Sequence, residues 1–222
     1  MIDLTLAEIA HIVNGRLVGG DATTVVSGMT DTDSRLITPG DIFVAKPGEE
    51  TDGHLFAAAA IANGAALLIV DHELTGSALT GSNLSASDAS RTVPQIVVTD
   101  TVVALGALAK EVVARVRAAG KLRVVGITGS NGKTTTKNLV ATMCSRVGAT
   151  VSPRDSFNNE VGAPLTMLKV SHETEFLVLE LGASGIGHIS RLTDMVHPDI
   201  AVVLMIGLAH AGEFGGVDAT VT

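Results

Sequence analysis

Two kinds of segment alternate along the chain. Short runs such as Leu67–Val70, Val124–Thr128, Phe176–Leu181 and Ile200–Ile206 are apolar along nearly their whole length. Between them lie longer stretches with apolar residues on one helical face, or with alanine-rich filling. An uninterrupted apolar strand lacks the alternation of a half-exposed one, so it predicts burial on both faces and a mostly parallel sheet covered by helices. The punctuation agrees. Thr5 can cap a helix to about Val13, with Glu8 completing a capping box and Gly15 as its stop. Asp41–Ala45 predicts a strand, Leu55–Ala62 a helix opened by Asp52-Gly53 and closed by Asn63-Gly64, and Leu67–Val70 the next strand, a β-α-β succession. Residues 75–94 turn to Ser, Thr, Gly, Ala and Asn without period and predict a mobile loop or an ornament on the first domain. Gln95–Thr99 restores a strand, and Asp100-Thr101 caps a helix to about Ala118 that Gly120 ends.

After that helix the predicted order is strand Val124–Thr128, a helix from about Lys133 to Val147, strand Phe176–Leu181, a helix over Ile186–Met195 and strand Ile200–Ile206. The fold class is therefore α/β, with a small domain over residues 1–99 and a second from 100 to 222. The second pattern stops soon after a motif-bearing turn, so it reads as a domain cut short.

Composition narrows the chemistry. With 2% aromatic residues, no Trp or Tyr and a formal charge of −8, the chain lacks the stacking platforms and positive field of a nucleic-acid surface. Any phosphate site must be local. The single cysteine, Cys144, has no internal disulfide partner and reads as a small apolar residue of a helix. An acid, Asp3, stands where a secretion signal carries basic residues, and no apolar run approaches the ~20 residues that span a bilayer. These features predict a cytoplasmic protein without membrane insertion.

The strongest chemical signal is Gly126-Ile-Thr-Gly129-Ser130-Asn131-Gly132-Lys133-Thr134-Thr135. It follows an apolar strand and opens a helix, the context of a phosphate-cradling loop. Main-chain N–H groups and the helix N-terminus face phosphate oxygens, Lys133 neutralises them and the Thr134 hydroxyl can ligate Mg2+. This predicts ATP with Mg2+. The spacing is a variant one: Ile127 stands where the usual loop has its first glycine, and Gly129 follows two residues later. Glu180 ends an apolar strand, where it reads alone as an ordinary charged terminus and, with the phosphate loop upstream, as a second Mg2+ ligand. His210 lies just beyond the next strand, and by itself reads more readily as a surface histidine than as a ligand. Asn158-Asn159-Glu160 precede a helix and offer amides to a ligand or to turn and cap chemistry. Asp33-Ser34-Arg35 and Asp52-Gly53-His54-Leu55-Phe56 lie in turns beside strands, where an Arg with hydroxyl neighbours can hold a diphosphate or simply sit in solvent.

In combination and in order, these segments resemble the Mur ligase family. The resemblance rests on Thr32–Arg35, Pro39–Ala45, Asp52–Phe56, Ile127–Thr135, Asn158–Pro164, Glu180–Ala183, Ala209-His210 and Phe214-Gly215. It implies a UDP-sugar-peptide domain, a central ATPase domain and a C-terminal domain that this sequence does not contain. It also implies ATP-dependent amide-bond formation through an acyl phosphate. Gly129–Thr135 would hold ATP, Thr134, Glu180 and His210 would serve metal, and Lys133, Glu180 and His210 would be catalytic. Ser34, Arg35, His54 and Phe56 would face UDP, with Asn158 and Asn159 on the muramoyl-peptide. The Asn-Asn-Glu loop narrows the likeness to the member that joins D-alanyl-D-alanine to UDP-N-acetylmuramoyl-tripeptide, with this chain expected to bind without ligating. Three alternatives stay open: a non-catalytic nucleotide- or UDP-sugar-binding fragment, a Mur ligase of other specificity, and a P-loop ATPase with an unrelated first domain. Met205 occupies the place of a usual family asparagine and cannot supply its amide.

Overall fold

The structure, a computed structural model, describes residues 1–48, 51–76, 79, 93–153, 155–183 and 185–207. Most of the stretch 75–94, and all of His210, Phe214 and Gly215, lie outside the described residues. The chain forms two compact units, one of Met1–Leu108 and one that begins at Ala109.

The first unit starts with β1 (Leu4–Thr5) and α1 (Leu6–Ile12). Thr5 Oγ1 accepts the Glu8 N–H at 3.2 Å while Glu8 Oε2 accepts the Thr5 N–H at 2.9 Å, so the expected capping box is formed. The stop differs slightly. Asn14, not Gly15, takes the left-handed conformation (φ 51°), which a short polar side chain tolerates. Then come β2 (Arg16–Val18), β3 (Val25–Val26), β4 (Thr30–Asp31), β5 (Ile42–Val44), α2 (Ala57–Ala62), β6 (Leu67–Val70) and β7 (Gln95–Val97). β1 and β3 pair antiparallel. The main sheet runs β2-β7-β6-β5-β4, parallel except for β2. Every residue of β5 and β6 is buried, as uninterrupted apolar runs require. Phe43, Leu68 and Val70 meet Ala57 and Ala60 of α2, whose small side chains let the helix lie close on the sheet. The expected helix from Leu55 begins instead as a 3-10 turn, Gly53–Phe56, because Asp52 caps that turn through the His54 N–H at 3.0 Å. The loops after β4 and β5 leave the same, carboxyl edge of the parallel strands, where α/β sheets bind ligands.

Helix α3 (Thr101–Ala119) opens on Asp100, whose carboxylate accepts the N–H groups of Val102 and Val103. The division at 108/109 falls inside this helix, whereas the sequence placed it near Asp100.

The second unit contains β8 (Arg123–Thr128), α4 (Lys133–Cys144), β9 (Thr150–Val151), α5 (Gly162–Met167), β10 (Phe176–Glu180), α6 (His188–Val196) and β11 (Ile200–Val203). Its sheet is wholly parallel in the order β11-β8-β10-β9, so the strand before the glycine-rich loop is flanked by the strand that ends at Glu180. Val125, Ile127 and Val178 pack with Val140, Ala141 and the partly buried Cys144. Burial on both faces holds for β10 but not for β11: Ile200 and Val203 are 54% and 63% exposed, β11 being the sheet edge among the described residues. No helix among the described residues is long and apolar enough to cross a membrane.

Candidate nucleotide and substrate sites

Between β8 and α4 the chain makes the cradle the sequence predicts. Gly129 has φ +134° and a Cβ there would meet Leu204 Cβ at 2.8 Å, so both backbone conformation and close packing exclude a side chain. Gly132, at φ 84°, turns the chain into the first residue of α4. The loop is braced from behind by the segment after β11. Ser130 N–H donates to Met205 O at 2.9 Å, Leu204 N–H to Thr128 O at 2.8 Å, and Gly207 N–H to Ser130 Oγ at 2.9 Å. Met205 thus acts through its main chain, and its side chain is 62% exposed.

Lys133 opens α4 and reaches back over the loop, its Nζ donating to Gly129 O at 2.6 Å and Ser130 O at 3.4 Å. A cation that rests on main-chain carbonyls beside a helix N-terminus has exchangeable partners and can turn to an anion. The next residue meets the end of β10. Thr134 Oγ1 donates to Glu180 Oε2 at 2.8 Å, and Asn158 Nδ2 donates to Glu180 Oε1 at 2.7 Å. Glu180 is 2% exposed, so these two bonds are what its buried carboxylate stands on. Ser156 Oγ lies 3.4 Å from Thr134 Oγ1. A hydroxyl and a carboxylate in contact beside a phosphate cradle are hard oxygen donors of the kind Mg2+ takes, so the residues present fit that ion.

The two asparagines separate. Asn158 is tied to Glu180 and, through its carbonyl, to the Gly182 N–H at 2.9 Å. Asn159 Oδ1 accepts the N–H groups of Val161 and Gly162 at 3.1 and 2.8 Å and so opens α5. Gly129, Ser130, Lys133, Thr134, Asn158 and Glu180 are therefore brought together. Asn131 and Thr135 are exposed on the same loop and first turn.

In the first unit Ser34 is buried and its carbonyl accepts Asn63 Nδ2 at 2.8 Å, while the Arg35 guanidinium is exposed and pairs with Asp33 at 2.6 Å. The Arg35 hydrogen bonds hold the Asp33 carboxyl below its ordinary value. Phe56 is 45% exposed. His54 is turned inward. Its Nδ1 lies 2.6 Å from Asp52 Oδ1, its Nε2 accepts the Asp71 N–H at 3.2 Å, and its ring lies against His72, tilted by 33° with centroids 4.5 Å apart. With both nitrogens engaged, His54 knots the loops after β5 and β6. The backbone N–H and ring of His54 hold the Asp52 carboxyl below its ordinary value.

Two family profiles match the chain: "Mur ligase middle domain" over residues 127–221 and "Mur ligase family, catalytic domain" over residues 28–112. This chain belongs to the Mur ligase family. The first match covers the cradle, Asn158 and Glu180, and the second covers Ser34, Arg35, His54 and Phe56. Among curated relatives, the UDP-N-acetylmuramoyl-tripeptide–D-alanyl-D-alanine ligase of Mycobacterium leprae is 41% identical over 236 residues, covering 99% of this chain and 44% of its own length. The Escherichia coli ligase of the same name is 37% identical, with 98% and 43% covered. A crystal structure of MurF from Acinetobacter baumannii superposes with TM-score 0.82 at 33% identity, over 100% of this chain and 45% of that one. A MurF ligase from Thermotoga maritima in complex with ADP gives TM-score 0.71 at 31% identity, over 88% and 41%. This Mur ligase chain therefore spans less than half the length of the relatives it matches.

The sequence missed three features of this arrangement: the Leu204–Gly207 brace, the Asn158–Glu180 bond, and Lys137. That last residue is fully buried in α4, with Nζ donating to Pro153 O at 2.7 Å. Its spacing of four from Lys133 places both on one helix face, a signal legible in principle.

Proposed function

We propose that this chain supplies the nucleotide and UDP-peptide sites of an ATP-dependent ligase that joins D-alanyl-D-alanine to UDP-N-acetylmuramoyl-tripeptide. The observation that carries the reading is the Thr134–Glu180–Asn158 array against the Gly129–Thr135 cradle. A cradle followed only by an isolated acid suits any phosphate-binding protein. This one adds a buried carboxylate shared between a P-loop hydroxyl and the Asn-Asn-Glu loop.

The chemistry is two displacements. A carboxylate oxygen of the peptide attacks the γ-phosphorus of ATP, the bond to ADP breaks and an acyl phosphate forms. The amine nitrogen of D-alanyl-D-alanine then attacks the acyl carbon, phosphate leaves with the C–O bond electrons, and the nitrogen gives up a proton. Phosphoryl transfer asks the protein mainly for position and charge. Lys133 leaves its two carbonyls to pair with β- and γ-oxygens, and the main-chain N–H groups of the cradle orient the same phosphates. Thr134 and Glu180 would hold Mg2+, which neutralises charge on the transferring group. Asn158 keeps the Glu180 carboxylate turned toward Thr134. His210 would serve a second metal position. Arg35, once released from Asp33, is the diphosphate partner in the first unit, with Ser34 beside it. The exposed Phe56 ring offers the uracil a face, and His54 holds that loop in place from behind. Asn159 sets the start of α5, where the muramoyl-peptide would lie.

The test is Lys133→Ala in the enzyme that carries this chain, with ATP, UDP-N-acetylmuramoyl-tripeptide and D-alanyl-D-alanine supplied. Loss of one preorganised charge contact to a transferring phosphoryl group costs about 3–4 kcal/mol, or roughly 10²–10³-fold in turnover. Near-normal turnover overturns the assignment, as does a wild-type enzyme that makes no amide.

A further inference from the structure

Lys137 is the one wholly buried cation among the described residues, at 0% exposure. Burying an ammonium is costly, and a methionine of similar length would fill the same space. What the lysine adds is donors. Nζ bonds to Pro153 O at 2.7 Å and reaches Asp155 O at 3.5 Å, tying the segment after β9 to the second turn of α4. That segment runs directly into Ser156, beside the Thr134 hydroxyl, and Asn158, on the Glu180 carboxylate. α4 therefore grips one loop at two levels. Thr134 meets it at the metal-binding hydroxyl, and Lys137 anchors its main chain one turn further on.

We propose that Lys137 is a positioning residue for the Mg2+ site: by fixing the carbonyls of Pro153 and Asp155 it sets Asn158 against Glu180, and so keeps the carboxylate turned toward Thr134. The proposal rests on the Mg·ATP reading of the cradle, though not on the identity of the peptide substrates. The partners of Lys137 are main-chain carbonyls, so it acts through Asn158.

The experiment measures binding of a fluorescent ATP analogue by the purified chain while Mg2+ is titrated, for wild type, Lys137→Met, Asn158→Ala and the double variant. Folding of each is checked by circular dichroism and thermal melting. Partners that orient metal ligands typically contribute 10–100-fold in metal affinity. Each single variant should therefore need at least about 10-fold more Mg2+ for half-maximal binding. Because both act on the same carboxylate, the double variant should need no more than the worse single one. A merely structural lysine would lower the melting temperature and leave the Mg2+ dependence of the folded fraction unchanged, which overturns the proposal. Multiplicative effects in the double variant overturn it too. If Lys137→Met does not fold, Lys137→Gln, which keeps an N–H donor toward the carbonyls, goes through the same cycle, and the same results support or overturn the proposal. An enzyme carrying this chain that binds Mg·ATP yet makes no amide refutes the ligase reading and leaves this one standing. A wild type that binds no nucleotide refutes both.

Discussion

Replacing Glu180 by Gln separates the structural role of this side chain from the metal role proposed for it. The carboxylate accepts one bond from Asn158 and one from Thr134. A glutamine can still accept from Asn158 through its carbonyl oxygen. Its amide can donate to Thr134 Oγ1, because a hydroxyl rotates to accept as readily as to donate. Both contacts re-form with neutral partners, so the stability of the ligand-free chain should change by less than about 1 kcal/mol. The negative charge is gone, and with it a hard oxygen ligand for Mg2+.

That difference is readable as a thermal shift. Ligand at 100 times its dissociation constant stabilises by about 2.7 kcal/mol, which for a chain of this length raises the melting temperature by roughly 5–11 °C. A hundredfold loss of affinity brings the same ligand concentration to its dissociation constant. The stabilisation then falls to about 0.4 kcal/mol and the shift to about 1–2 °C. The assay compares wild type and Glu180→Gln in ATP with Mg2+ and in ATP with chelator. A folded Glu180→Gln that keeps the full Mg2+-dependent shift refutes the placement of metal on this carboxylate. A ligand-free melting temperature that collapses refutes the hydrogen-bond argument.

Three further outcomes follow from individual positions. Gly129→Ala forces a side chain into φ +134° against Leu204 Cβ; it should cost about 1–3 kcal/mol in urea unfolding and abolish ATP binding, and wild-type values for both would contradict the packing argument. Thr5→Ala removes the cap of α1 and should cost about 1 kcal/mol, a drop of roughly 2–4 °C in melting temperature with nucleotide binding unchanged. Asp52 has a folded-state carboxyl value below its ordinary 3.8, so its contribution to stability is present above that pH and is lost as pH falls through the lowered value. Asp52→Asn keeps the acceptor for the His54 N–H, and melts across the acid range should show a shallower loss of stability below pH 3.8 than wild type. An unchanged acid profile would refute this.

How far the sequence carried these conclusions depended on whether the controlling interaction was local. The capping box at Thr5 and Glu8, the strand Leu67–Val70 and the cradle before Lys133 are each specified by residues within a turn or two of one another, and each is formed. Glu180 taken alone reads as well as an ordinary charged strand terminus, and only the glycine-rich loop upstream singled it out; the fold brings it against Thr134 of that loop. Asn158 and Asn159 were not separable. Whether an asparagine caps a helix or binds a distant carboxylate depends on a contact such as that between residues 158 and 180, which no local pattern encodes. His54 shows the same limit. Its burial follows from the approach of Asp71 at the end of β6, so a turn residue that reads as available from sequence is enclosed in the fold. Lys137 is the reverse case: a lysine on a helix reads as solvated, and in the fold its ammonium is buried against the carbonyls of Pro153 and Asp155.

The same reasoning explains why the cradle departs from the usual glycine spacing. Ile127 stands where the common loop has its first glycine, and it is fully buried as the penultimate residue of β8, bonded through its carbonyl to the Leu181 N–H. The backbone has no need of freedom there, because the strand has not yet ended. The need arises two residues later, where the segment after β11 crosses behind the loop and Leu204 leaves no space for a Cβ. The position of the glycine is thus set by the neighbouring strand and not by the phosphate alone. Met205 belongs to that crossing. The sequence marked it as a lost amide, yet the bond that fixes Ser130 comes from its main-chain carbonyl, which any residue supplies. The exchange for asparagine therefore leaves the brace of the cradle intact. Its consequence is confined to whatever the exposed side chain at 205 would reach, so the loop can stay competent for phosphate while its surroundings change.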